Sequence, residues 1–100
     1  MTNNEYMKLV HQAIFDVLCI SEEMLKSSSR IAKNCDARKI FCYLCRANGI
    51  PYSTISEQLN RSYHTVTYAV ETFLESAKFD KVLWKQYCEI KSYIENKLMK

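Results

Sequence analysis

Glycine and proline are almost missing from this chain, which has one of each, Gly49 and Pro51, in 100 residues. An all-β domain needs turn residues about every 8–12 positions, so this scarcity excludes a sandwich or barrel. A phosphate-binding loop of the G-x-x-x-x-G-K-[ST] type is excluded too, because it needs two glycines. Long apolar runs are also lacking: no window approaches the 18 or so apolar residues of a membrane-spanning helix. The opening Met1-Thr-Asn-Asn-Glu-Tyr6 has neither the basic nor the apolar stretch of a secretion signal. The five cysteines (Cys19, Cys35, Cys42, Cys45, Cys88) are an odd number. Together these absences lead us to expect a cytoplasmic protein with reduced thiols used as small core residues.

What is present suits a helical core. Apolar residues make up 48% of the chain, and a domain of this size buries roughly 60–70% of its unfolded surface. With mostly 3.6-residue periodicity, the expectation is a single all-α domain over residues 1–100, a compact bundle of about six helices. The net charge is only +3, but six cations lie within residues 26–46, namely Lys26, Arg30, Lys33, Arg38, Lys39 and Arg46, opposed by Asp36 alone. Such a local field attracts polyanions, although an ordinary solvated surface has the same composition.

Along the chain, Asn3 or Asn4 is the expected cap of a first helix running to about Ile20, with Met7, Val10, Ile14, Val17 and Leu18 inward and Phe15 widening the face. Ser21 starts a short second helix, with Glu22 and Glu23 in its first turn and an end near Lys26. Residues 27–34 read as a polar, basic loop. Asp36 is the expected cap of the next helix, whose stripe is Ile40, Phe41, Leu44 and Cys45 and whose end is Ala47-Asn48-Gly49, with Gly49 left-handed. Arg38 and Lys39 project from its start. Near the C-terminus, Glu75 to Ala77 form a brief connection, and Asp80 caps a last helix with Leu83, Tyr87, Ile90, Ile94 and Leu98 on one face, flanked by Phe79 and Trp84.

Between these lies a close pair of helices at about 53–73. The first runs Ser53–Leu59, with Ile55 and Leu59 inward. The second is capped by Ser62, and its inward stripe is Val66, Ala69, Val70 and Phe73. Tyr63, His64, Thr67 and Tyr68 are left facing outward, with Arg61 in the turn. A hydrogen-bonding outer face on the second helix of such a pair is what a helix-turn-helix needs to read DNA.

Three stretches, Ile20-Ser-Glu-Glu-Met-Leu25, Asp36-Ala-Arg-Lys-Ile-Phe-Cys-Tyr-Leu44 and Ile55-Ser-Glu-Gln-Leu-Asn-Arg-Ser-Tyr-His-Thr-Val-Thr-Tyr-Ala69, stand in order at matching spacing. Together they resemble the C-terminal DNA-binding domain of the bacterial replication initiator DnaA, over roughly residues 4–98. The helix-turn-helix of the tryptophan repressor is related to that family. The resemblance implies double-stranded DNA as partner, no cofactor, and a role in replication or transcription control. It covers the DNA-binding domain free-standing, without the ATPase part. It also implies that Arg38 enters the minor groove. Where the family reads the major groove through Asp-His-Thr-Thr-Val, this chain has Ser62-Tyr63-His64-Thr65-Val66, so its base preference is expected to differ. Glu71 and Thr72 replace residues that are often basic in the family.

The expected division of labour follows. Lys26, Arg30, Lys33 and Lys39, with Ser27 to Ser29, contact phosphates. Arg38 sits in an A·T-rich minor groove. Ser62, His64, Thr65 and Tyr68 meet base edges, while the methyls of Thr65 or Thr67 meet thymine. Tyr63 equally suits packing on a neighbouring helix, and Arg61 suits capping the preceding one. Cys42-x-x-Cys45 lacks the second ligand pair of a zinc site and the strand of a redox motif, so core packing is expected. His11 is expected at the surface. No nucleophile–base pair stands out, which argues against an enzyme. The alternative to DNA binding is a helical protein–protein interaction or homodimerisation module, which the seven tyrosines would serve.

Overall fold

Short hydroxyl and carboxylate side chains start most of the helices. In the computed structural model, which describes residues 2–27 and 32–99, the elements are α1 (Asn3–Leu18), α2 (Glu22–Lys26), α3 (Ala32–Ala47), α4 (Tyr52–Leu59), α5 (Tyr63–Phe79) and α6 (Lys81–Leu98). Thr2, Ser21, Ser62 and Asp80 each accept from backbone N–H groups of the turn they open. These bonds satisfy donors that have no partner inside a helix. The cap of α1 is Thr2, not Asn3 or Asn4, because Thr2 and Glu5 satisfy each other's backbone N–H groups. That helix stops two residues early, at Leu18, with Cys19 left-handed at φ 59°. Gly49 ends α3 at φ 87° as expected, with its N–H on Arg46 O and that of Ile50 on Cys45 O.

The bundle is built around α3, which packs against all five other helices. Ala37, Ile40, Phe41, Cys42, Leu44 and Cys45 on it are buried. Tyr43 stacks on Phe73 with ring centroids 4.4 Å apart, and Tyr87 closes edge-on against both. This aromatic cluster joins α3, α5 and α6. The architecture is all-α, with no strand among the described residues. None of the described helices is long and apolar enough to cross a membrane.

Several local expectations are corrected. Asp36 does not cap α3 but sits in its second turn, because the helix is already under way at Ala32 and its buried stripe starts at Asn34. Residues 75–77 are not a connection: α5 runs on to Phe79, since Ala77 continues the Val66–Phe73 stripe and nothing breaks it. Phe15, Leu98 and Phe79 are exposed rather than packed on the core.

His11, expected at the surface, is buried against the Phe41 ring, 4.5 Å between centroids. The side-chain amide of Gln58 donates to its Nε2 (3.1 Å) and to Glu22 Oε1 (2.8 Å), which ties α1, α2 and α4 together. Since the amide nitrogen only donates, the imidazole accepts and is neutral. Burial accordingly holds its pKa below the ordinary value, against the opposing pull of Glu22. A base whose folded pKa is depressed stabilises the fold above its unfolded pKa of about 6.5, and that contribution is lost as pH falls. Chemical denaturation at pH 7.5 and 5.5 is expected to show lower stability at the acidic end. His11→Phe is expected to flatten that difference; an unchanged pH dependence in the variant would place its origin elsewhere.

Candidate nucleic-acid interface

Five of the residues singled out from two distant stretches line one open cleft of about 390 Å³ between α3 and α5, whereas Lys26, Ser27, Lys33, Ser62, Tyr63, His64 and Thr67 do not line it. Arg38 and Lys39 come from α3, Arg61 from the turn after α4, and Thr65 and Tyr68 from α5, with Leu59, Val66 and Ala69 as apolar floor. The folding reason lies in the turn. Asn60 takes the left-handed conformation at φ 54°, which asparagine tolerates better than most residues, and the N–H of Arg61 closes on Ser56 O at 3.0 Å. Ser62 then caps α5 through the Thr65 N–H, 3.1 Å from its Oγ. This three-residue reversal sets α5 across the front of α3 with its first turns in the open.

On that exposed face, Tyr63 is 57% and Tyr68 67% accessible, and His64 is exposed. The hydroxyls are less free than the sequence suggests. Ser62 Oγ and Thr65 Oγ1 are 2.8 Å apart and bond each other. Thr67 Oγ1 donates back to Tyr63 O at 2.9 Å, so its hydroxyl proton is already used. The Tyr63 ring packs edge-on against Tyr52, 5.7 Å between centroids, and the Arg46 guanidinium lies 4.6 Å over the Tyr52 ring. Sequence reasoning missed Tyr52. It also missed Thr72 and Ser76, which extend the cleft along α5. The helical spacing of these two from Tyr68 was the available signal, whereas the Tyr52–Tyr63 pairing crosses the turn and has none.

The cations divide into two groups. Lys33 is exposed, and Lys39 is partly exposed along the cleft. Lys26 is half-buried with Nζ 3.0 Å from Glu22 Oε1. Arg38 and Arg61 instead point at the C-terminal end of α2. Arg38 donates through Nε to Leu25 O (2.7 Å), and through Nη2 to Ser27 O (2.9 Å) and Met24 O (3.3 Å). Arg61 donates through Nη1 to Lys26 O at 3.3 Å and through Nη2 to Ser27 O. Ser27 Oγ itself donates to Met24 O. Terminal helix carbonyls have no partner within their helix, so two guanidinium groups on them form a clasp. Burial, and then the charge of Arg61, draw the Arg38 pKa below its usual value. Arg30, Ser28 and Ser29 lie outside the described residues.

Comparison with protein-family models gives a match to the bacterial dnaA protein helix-turn-helix over residues 7–72. The chain belongs to that family. The dnaA helix-turn-helix is a DNA-binding domain rather than a catalytic one, and its match runs from α1 into α5, taking in every lining residue of the cleft except Ser76. The last part of α5 and all of α6 lie beyond the matched residues. Comparison with curated proteins and with solved structures finds no match.

The clasp leads to a direct test. Arg38→Ala removes several charge-assisted bonds to carbonyls and is expected to lower stability by about 1–2 kcal/mol, or roughly 4–16 °C in melting temperature for a domain of this size. Arg38→Lys is expected to restore little, because a single ammonium cannot span three carbonyls. A melting temperature unchanged in Arg38→Ala would show that the clasp contributes nothing to folding.

Proposed function

We propose that this protein binds double-stranded DNA with sequence preference, inserting the first turns of α5 into the major groove, and that it acts in control of replication or transcription. The observation that carries this reading is the exposed N-terminal face of α5, His64 and Tyr68 above all, standing beside the cationic cleft. A duplex presents a groove edge and a phosphate strand together, and this surface offers a partner for each.

In this mechanism Lys39 and Lys33, with Lys26 from the neighbouring corner and with Arg30, neutralise phosphates and fix the register on the duplex, and Ser27 lies beside them. Arg38 and Arg61 add positive field from behind while they hold the end of α2 against the cleft. His64 is the principal base-reading residue, because its ring is exposed and carries both a donor and an acceptor. Tyr63 and Tyr68 add hydroxyls at the groove edge, and Ser62 and Thr65 offer the lone pairs their mutual bond leaves. The Thr67 methyl suits a thymine methyl.

Selection from a random duplex library, followed by titration of the selected site, tests the proposal. About four phosphates neutralised by cations predict a log–log salt slope near −3.6, so affinity should fall on the order of a hundredfold between about 50 and 200 mM salt. Absence of binding at low salt, or a flat response, would refute it. His64→Ala is expected to reduce the preference for the selected site over a scrambled duplex by about tenfold or more, with the slope unchanged. Equal losses on both duplexes would show that His64 does not read bases.

A further inference from the structure

The lining of the α3–α5 cleft carries three cations, Arg38, Lys39 and Arg61, and no carboxylate. Two of those charges are held close together, since Arg38 Nη2 and Arg61 Nη2 both donate to the one carbonyl of Ser27. Neither guanidinium forms an ion pair with another described residue. Carbonyls accept their N–H groups but bear no full charge, so the like-charged pair stays uncompensated. Donors are also left over. Arg61 Nε has no hydrogen bond among the described residues, and Arg38 Nη1 meets only the Cys35 sulfur, at 3.7 Å. Beside these cations the floor is apolar, with Leu59 and Val66 1% and Cys42 2% exposed. Tyr63, His64 and Thr67 do not line the cleft. A phosphate strand would meet the cations at its mouth but has no apolar group to lay on that floor.

We propose that the cleft is a binding site for a small organic anion, a single ring or short branched chain bearing one carboxylate, and that its occupancy weakens DNA binding. The two donor groups with hydrogens to spare, Arg61 Nε and Arg38 Nη1, match the two oxygens of a carboxylate, which brings the missing counter-charge to the guanidinium pair. The apolar body lies on Cys42, Leu59 and Val66, against Ala69 of α5. Both halves of the ligand are needed. A neutral ring would leave the cations without a counter-charge, and an inorganic anion would leave the floor wet. At about 390 Å³ the cleft is near the small end of ligand sites, which span roughly 300–1,000 Å³, so the occupant is compact. The effect on DNA rests on the reading proposed above. A bound carboxylate cancels one positive charge beside the strand that Lys39 meets, and it fills space next to Thr65 and Tyr68.

Calorimetric titration of the whole chain with phenylacetate, without DNA, is expected to show saturable binding with a dissociation constant of about 1 mM or tighter. Phenylethanol, which lacks the charge, and acetate, which lacks the ring, should each bind at least about tenfold more weakly. Cys35 lines the cleft and is partly exposed, so bound phenylacetate should slow its alkylation by iodoacetamide severalfold and leave that of exposed Cys19 unchanged. Ala69→Phe, which puts a ring where the ligand's ring would lie, should abolish binding. Lys39→Gln, at the rim, should weaken it by about threefold with an unchanged far-UV circular dichroism spectrum. The site is overturned by absence of saturation at about 10 mM phenylacetate, by equal binding of phenylethanol, or by binding that leaves Cys35 unprotected and ignores both substitutions. On the selected duplex, saturating phenylacetate should lower affinity severalfold and reduce the salt slope by about one, relative to acetate at equal ionic strength. Unchanged DNA affinity at saturation rejects the coupling. A chain that binds phenylacetate but no duplex rejects only the DNA-binding reading, and one that binds the duplex but no phenylacetate rejects only the cleft site.

Discussion

Everything in this fold depends on burying α3 on all sides. An α-helix that touches five others has to be apolar round most of its circumference, and Ala37, Ile40, Phe41, Cys42, Leu44 and Cys45 supply that surface. The short helices α2 and α4, only one to two turns long, both pack on α3. Their positions are inherited from the central helix. Deleting the Phe41 ring would remove contacts to several helices together, a change that typically costs about 3–5 kcal/mol in a packed core. That is a large share of the stability of a 100-residue domain.

The basic corner shows how the same residues serve folding and recognition. A helix as short as α2 is a weak structure in isolation, and its carbonyl end would face solvent without the guanidinium groups of Arg38 and Arg61. Holding those carbonyls fixes where the neighbouring lysines stand. The positive field over the cleft is therefore a by-product of closing a helix end. On the opposite side of α2, Glu22 is a second anchor. It bonds Gln58 and Lys26 and lies beside buried His11, so one carboxylate orients α1, α2 and α4.

Much of this was legible in the sequence, for local reasons. Ser21, Ser62 and Asp80 announce helix starts because capping is a contact over three residues, and Gly49 announces an end because few other residues accept its backbone angle. The stripe from Val66 to Phe73 oriented α5 correctly for the same reason. Asp36 misled because it looks like a cap, while the true start was hidden by Asn34, an amide on a buried stripe. His11 misled because a lone polar residue on a helix usually faces water, and Gln58, the partner that allows its burial, is 47 positions away. The arginine clasp was invisible in the same way: Arg38 reads as a free cation until the carbonyls of α2, 11 to 14 positions earlier, are folded onto it. The family resemblance located the helix-turn-helix, whereas the state of each side chain on it needed the fold.

The cysteines of α3 have a use in studying the molecule. Burial pushes the Cys42 thiol up to about 12 and raises that of Cys45 as well, while Cys19 is exposed and Cys35 and Cys88 are partly so. Only the thiolate attacks an alkylating reagent. Cys19 should therefore be modified at once, whereas Cys42 and Cys45 should react only in molecules whose central helix has come loose. Their labelling rate then becomes a clock for opening of the core, built into the native chain and requiring no introduced cysteine.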